Sequence, residues 1–226
     1  MTSAMGRPRE FDIDEALEAA TRAFWRAVRS HLARDLMHAT GLQKGSIYKA
    51  FGDKHALFLG ALRRYLDHGY EAQRAVLARA SSPRAALQVW LDRLVDAAPA
   101  EGGSCCGCLA VNSLVERGPH DEQARGILEA HFERMRTLLA ERIRDGQERG
   151  EIRRYLDPGQ GARLLLTMVA GLLGALKGTT SKAEARSLAE TPAAAGLSPR
   201  ARAGPCAVRG SVRTGARAVP AARRNR

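Results

Sequence analysis

The residues of this chain best suited to chemistry lie in a short polar segment that follows a glycine. Its hydrogen-bonding members are Gln43, Lys44, Ser46, Tyr48 and Lys49. Apolar Ile47 and Phe51 recur among them at helical spacing, so the polar side chains can share the opposite face of a short helix. Amide, hydroxyl and ammonium groups on such a face can bond to base edges and phosphates in a DNA major groove. Solvated polar residues on an ordinary helical hairpin give the same pattern.

The elements around this segment predict a helix-turn-helix. A first short helix is indicated by four apolar residues, Leu36, Met37, Ala39 and Leu42. After a turn at Gly41, the second helix carries the polar face and, in this motif, lies in the major groove. Asp53 is placed to cap a third helix, and its first residue, Lys54, points a charge toward the phosphate backbone.

The order of residues 39–58, ATGLQKGSIYKAFGDKHALF, closely resembles the DNA-binding segment of TetR-type transcriptional regulators. The glycine turn, the Ile-Tyr pair and the Phe-x-x-Lys-x-x-Leu exit carry the resemblance, which extends over residues 6 to about 70. It implies a sequence-specific DNA-binding regulator, acting as a homodimeric repressor that a small-molecule effector releases from a double-stranded operator. No cofactor is implied.

The resemblance also implies an all-α fold, in which residues 11–56 form the helix-turn-helix domain and 57–190 a helical effector-binding and dimerisation bundle. Composition adds a basic arm over residues 1–10 and predicts a disordered tail over 191–226, which has no acid, aromatic residue or periodicity. Small-molecule sites commonly lie between the helices of a bundle. Guided by the family, we expect a mainly apolar effector pocket lined by Trp90, Leu94, Val111, Leu114, Phe132 and Met135.

The N-terminal arm contains Arg7 and Arg9 in the sequence GRPRE. Flexible basic arms of other DNA-binding folds reach the minor groove or the phosphates, and these two arginines are candidates for that role. A disordered terminus is the alternative.

Residues 27–34, AVRSHLAR, depart from the family pattern of a glycine and an aromatic residue followed by a hydroxyl cap. The peptide Gly-Tyr-Glu-Ala-Thr-Ser-Leu-Ala fits the family pattern. Codons can be chosen for it such that the same DNA, read from two bases later, encodes Val28 to Arg34. A local frameshift is therefore one hypothesis, and divergence of a loop is the other. A functionally impaired regulator, altered here and in its last dimer helix, is an alternative interpretation of the chain.

The charge of the chain favours an anionic partner. The 226 residues carry a formal net charge of +12, but residues 191–226 hold eight arginines and no acid. A non-specific basic nucleic-acid-binding protein is therefore another alternative. Catalysis is not expected, because the sequence has no Gly-rich phosphate loop, HExxH motif or nucleophile elbow.

Three of the four cysteines, Cys105, Cys106 and Cys108, lie together. Clustered thiolates can bind soft metal ions or respond to oxidants, but no second Cys/His cluster supplies a zinc spacing, and incidental thiols are the alternative. The cysteine pattern is no disulfide framework, and the longest apolar run is too short to span a bilayer. A cytoplasmic location follows.

Apolar periodicity predicts helices through most of the remaining chain. They cover Asp12 to Trp25, Asp53 to Ala80, Pro83 to about Ala98, Asp121 to Gly150, a segment beginning at Pro158, and Ser181 to Glu190. Thr191-Pro192 is expected to stop the last helix. The segment from Pro158 is apolar nearly all round, and the resemblance implies that the last two helices form a four-helix dimer interface.

Overall fold

The computed structural model describes residues 12–26, 37–38, 41, 43–97, 107–177 and 181–195, which form an all-α fold without a strand. Its helices are α1 Ile13–Arg26, α2 Lys44–Phe51, α3 Lys54–Arg79, α4 Pro83–Asp96, α5 Leu109–Glu116, α6 Glu122–Glu148, α7 Pro158–Ala175 and α8 Lys182–Ala195. Within these ranges no helix combines the length and the hydropathy that crossing a bilayer requires. Residues 1–10, residues 27–34 and the chain after residue 195 lie outside the described residues.

Side-chain caps fix where most of these helices begin, as the sequence predicts. Asp12 accepts a hydrogen bond from the backbone N–H of Asp14 at 2.7 Å, and Asp53 accepts one from Ala56 at 2.7 Å. At the start of α8, Ser181 and Glu184 form a reciprocal capping box, which lowers the pKa of the Glu184 carboxyl through the N–H of Ser181. Each cap satisfies a backbone donor that the first turn leaves unpaired.

Two apolar clusters hold the helices together, and α3 contributes to both. The junction cluster joins α1, α2 and the first half of α3 to α5 and the start of α6, through residues such as Phe24, Ile47, Phe58, Leu109 and Leu128. The bundle cluster joins the end of α3 to α4, α6, α7 and α8, through residues such as Leu77, Trp90, Met135, Leu165 and Ala189. The helix-turn-helix elements thus pack on α5 and α6.

The prediction that Thr191-Pro192 stops the last helix is wrong. Helix α8 continues to Ala195. Ala185 and Ala189 are fully buried, and Lys182 donates to the carbonyl of Asp96 at 2.9 Å. Tertiary packing against α4 therefore outweighs the one intrahelical hydrogen bond that a proline cannot donate.

Two glycines in α6, Gly126 and Gly146, differ in how much space a side chain would have. A Cβ atom added at Gly146 would lie 2.5 Å from Cδ1 of Ile152, a side chain that is 2% exposed. A Cβ at Gly126 would meet nothing within 4 Å. Gly146 is thus required by close packing inside the helix, whereas Gly150, with a φ of +73°, follows the helix end.

We expect Gly146→Ala to lower the free energy of unfolding by about 1–3 kcal/mol, because the buried Ile152 cannot move without disturbing the core. Gly126→Ala is the matched control and should raise it by up to about 1 kcal/mol through helix propensity. Urea unfolding followed by circular dichroism measures both. Equal effects of the two substitutions would contradict this account of Gly146.

Candidate nucleic-acid interface and junction cleft

Helix α2 has one buried face and one open polar face. Ile47 is 3% exposed and packs in the junction cluster, with Phe51 partly buried beside it. The carbonyl of Gln43 accepts hydrogen bonds from the N–H groups of Ser46 and Ile47, so Gln43 sits at the entrance to the helix. The side chains of Gln43, Ser46 and Lys49 are exposed. The open face can therefore form hydrogen bonds with an external partner.

The structure exposes four of the predicted DNA-binding residues on α2 or close to it in the chain. Gln43, Ser46 and Lys49 are joined by Lys54, which is exposed at the first position of α3. Lys44 and Tyr48 lie within α2, but their side chains are outside the described residues, as are Arg7 and Arg9 entirely. Gly41, whose φ is +66°, occupies the predicted turn in a conformation that favours glycine.

The charge of α2 suits an anionic partner. The helix contains lysines and no aspartate or glutamate. The nearest acid in sequence, Asp53, is engaged in capping α3. An acidic surface would repel the phosphates of duplex DNA, whereas exposed ammonium groups can bind them. The neighbouring amide and hydroxyl groups can form hydrogen bonds with base edges.

Helices α1 and α3 form the platform that supports α2. The hydroxyl of Thr21 donates to the carbonyl of Leu17 on its own helix and also lies 3.3 Å from the carbonyl of Ala61 on α3. The rings of Phe24 and Phe58 pack edge to face with centroids 5.3 Å apart. Arg64 donates to Asp14 at 2.8 Å at the outer edge. These contacts fix α1 on α3 and so orient the open face of α2.

A cleft of about 780 Å³ lies between this platform and the start of the bundle. We call it the junction cleft. Its apolar residues are Phe24, Trp25, Phe58 and Leu109, and its polar residues are Lys54, His55, Asn112, Ser113, Glu116, Arg117, His120, Asp121, Glu122 and Gln123. Its volume lies in the range of small-molecule sites.

Polar contacts across the junction cleft tie the two sides together. His55 Nε2 on α3 lies 2.8 Å from Oδ2 of Asp121, and the other carboxylate oxygen of Asp121 accepts from the N–H of Ala124 at 3.0 Å. These hydrogen bonds hold the pKa of the Asp121 carboxyl below its usual value, and the bond from the N–H of Ala124 contributes most. The guanidinium of Arg117 lies 4.4 Å from the ring centroid of Phe58. Trp25 Nε1 donates to the carbonyl of Gly107 at 2.9 Å.

The structure brings three of the six residues expected to line an effector pocket into one cluster and places the other three elsewhere. Trp90, Leu94 and Met135 belong to the bundle cluster, while Phe132 packs against the junction cluster. Leu114 is exposed and Val111 half-buried on α5. None of the six lines the junction cleft.

Sequence reasoning missed the cleft because its key pairs are distant in the chain. His55 and Asp121 are 66 positions apart, and Trp25 and Gly107 are 82 apart. The position of Asp121 in the sequence predicts that one of its carboxylate oxygens caps a helix. It does not predict a partner for the other carboxylate oxygen. No local pattern links that oxygen to a histidine on another element.

Cys108 is a free, half-buried thiol at the start of α5. The hydroxyl of Tyr65 points at its Sγ at 3.7 Å, and burial, followed by the thiol, raises the pKa of Tyr65. Among the described residues, no group of histidine, cysteine, aspartate and glutamate is arranged to hold a metal ion. Cys105 and Cys106 lie outside these residues.

Comparison with known proteins gives a consistent result. Residues 83–191 match the model of the family described as Tetracyclin repressor-like, C-terminal domain. The HTH-type transcriptional repressor ComR of Escherichia coli K12 is 27% identical over 171 residues, which are 74% of this chain and 80% of ComR. The uncharacterized HTH-type transcriptional regulator YezE of Bacillus subtilis 168 is 29% identical over 183 residues, which cover 74% of this chain and 89% of YezE.

A solved structure agrees over both parts of the fold. It contains a cysteine mutant of CifR, described as a TetR family transcriptional regulator, in complex with 26-base-pair double-stranded operator DNA. The two proteins are 30% identical, with a TM-score of 0.72, and the match covers 84% of this chain and 100% of that one.

Proposed function

This chain belongs to the TetR family of transcriptional regulators, and we propose that it is a homodimeric repressor released from its operator by a small effector. That it is a sequence-specific DNA-binding regulator follows from the family. The observation that carries the proposal is the open polar face of α2 on the α1–α3 platform. A cytoplasmic location, with direct access to DNA, belongs to the same proposal.

Sequence selection would come from α2. Gln43 and Ser46 can form hydrogen bonds with base edges, and Lys44 is a further candidate from its position. Lys49 and Lys54 would neutralise phosphates, with Arg7, Arg9 and Tyr48 as additional contacts. Phosphate contacts set affinity and its salt dependence, whereas base contacts discriminate between sequences. The two classes of residue therefore have different mutational signatures.

We expect Lys54→Ala to weaken binding to every duplex and to lower the slope of log affinity against log salt by about one. Gln43→Ala should cost about 1–3 kcal/mol on the preferred base pair and little elsewhere. Fluorescence anisotropy with a duplex selected by the wild-type chain from a randomised library measures both. Arg63→Ala, exposed further along α3, is the control.

The same duplexes test the alternative of a non-specific basic protein. A chain that ends at residue 195 lacks the arginine-rich segment. Retained preference for the selected duplex in that shortened chain supports the repressor. Loss of all DNA affinity would instead support non-specific binding through the tail, and weak but selective binding by the full chain would favour the impaired variant.

Helices α7 and α8 offer the surface for dimerisation. Leu164 on α7 is 68% exposed and Leu188 on α8 is 53% exposed, which is unusual for leucines on helices that also contribute to a core. Gly171 lies two turns after Leu164 on the same face, and a Cβ there would meet nothing within 4 Å. An apolar, open helix face supports association with a second copy through the last two helices.

We expect Leu164→Glu to shift the chain from dimer to monomer, because the partner would have to bury a carboxylate. Val115→Glu is the control, since Val115 is 70% exposed but lies on α5. Sedimentation velocity at one protein concentration distinguishes the states. A fully dimeric Leu164→Glu variant would place the interface elsewhere.

The junction cleft is our proposed effector site. It is open, has aromatic and apolar residues on one side, and lies between the platform of α2 and the bundle. A ligand there can separate the two sides and so reposition α2 in each protomer. The effector can drive release only if it binds the repositioned geometry more tightly than the geometry that fits the operator. The bundle interior around Trp90, Leu94 and Met135 remains the competing location.

The two tryptophans discriminate between these locations. Trp25 lines the cleft and is 36% exposed, whereas Trp90 is 1% exposed in the bundle cluster. We expect any compound that releases the selected duplex to change tryptophan fluorescence with the same concentration dependence. Trp25→Phe should abolish the change. A change that persists in Trp25→Phe would assign the effector to the Trp90 region.

A further inference from the structure

One carboxylate joins the first turns of two helices across the junction cleft. Asp121 caps α6 with Oδ1, which accepts the N–H of Ala124 at 3.0 Å. Its Oδ2 lies 2.8 Å from Nε2 of His55 in the first turn of α3. The side chain of Asp121 is only 12% exposed, compared with 44% for His55, so the acid is the better fixed partner.

The held end of α3 lies next to the DNA-binding surface. His55 follows Lys54 directly, and α2 ends at Phe51, just before the cap residue Asp53. A displacement of His55 therefore moves Lys54 and the end of α2 with it. The pair links the bundle to residues that, in the proposed function, contact the operator.

We propose that Asp121 is a positioning residue for operator binding, which acts through His55 to hold the start of α3 on the start of α6. The inference rests on the proposed function. An effector in the cleft can contact His55 and Asp121, which both line it. The pair thus stabilises the geometry without effector.

Charged and titratable groups reach the cleft from each polar element around His55. They are Lys54 on α3, Glu116 and Arg117 on α5, His120 in the following turn, and Asp121 and Glu122 at the start of α6. Helix α1 contributes the uncharged Phe24 and Trp25. Glu122 lies 3.9 Å from Arg125, its ion-pair partner, so Asp121 is the acid that directly contacts His55.

The surroundings of Asp121 favour its ionised form, which is a hydrogen-bond acceptor. The N–H of Ala124, the hydrogen bond from His55 and the charge of Arg117 all act in this direction. An asparagine at position 121 keeps an oxygen for the cap but replaces the oxygen that faces His55 with an amide donor. The hold of α6 on α3, and with it operator affinity, should therefore fall.

The test measures affinity for the selected duplex at one pH and one low ionic strength. Asp121→Asn should bind the duplex about threefold more weakly than wild type, the range of a partly exposed pair. Asparagine preserves the cap of α6, so the fold is maintained. His55→Gln should cause the same loss, and the double variant should lose no more.

Two neighbours serve as matched controls. Glu122→Gln removes the adjacent acid and His120→Gln removes the other histidine of the cleft, and both should retain the wild-type affinity. Selective binding with equal affinity in wild type and Asp121→Asn would overturn the inference while leaving the proposed function intact. Absence of selective binding by wild type would overturn both.

A measurement without DNA completes the test. In NMR spectra of the histidine side chains, Asp121→Asn should move the ring signals of His55, since Nε2 loses its carboxylate partner. The His120 signals should move little. Unchanged His55 signals would show that the pair does not form in solution.

Discussion

The structure depends on the burial of helix α3 in two apolar clusters at once. Leu57, Phe58 and Leu62 in its first half are closed in by α1 and by the start of α6, while Leu77 near its end is closed in by the bundle. A single helix of 26 residues therefore orients the DNA-binding elements and also belongs to the bundle. No other described helix contributes such extended stretches to the DNA-binding platform and to the bundle.

The junction cluster joins the DNA-binding elements to the bundle through apolar side chains. Leu109 of α5 and Leu128 of α6 are almost fully buried against residues of α1 and α3. An ordinary inter-domain contact would be more polar. The boundary therefore combines a well-packed apolar cluster with a mainly polar cleft beside it.

Much of the fold could be predicted from local signals, and the candidate site only in part. The caps at Asp12, Asp53 and Ser181 and the turn at Gly41 depend on neighbours within a few residues, so the sequence contains all the information. The open face of α2 follows from the spacing of Ile47 and Phe51. The continuation of α8 past Pro192 could not be predicted, because burial of Ala185 and Ala189 against another helix decides it.

The effector prediction shows the same limit from the other side. Phe132 and Met135 lie one turn apart on α6, and their spacing suggests a common environment. In the fold Met135 enters the bundle cluster, whereas Phe132 faces the junction cluster. The face that each side chain occupies is set by which helices α6 crosses, and only the tertiary structure contains that information.

The length of α3 also makes it a mechanical lever. At about 1.5 Å per residue, its 26 residues span roughly 39 Å. With its far end fixed in the bundle, a tilt of only about 3° would carry its first turn through about 2 Å, by the same rise per residue. Two such levers, related by the two-fold axis of a dimer, would change the spacing of their tips together. A small tilt of each α3 can then make the distance between the two DNA-binding surfaces differ from the helical repeat of DNA, which is fixed.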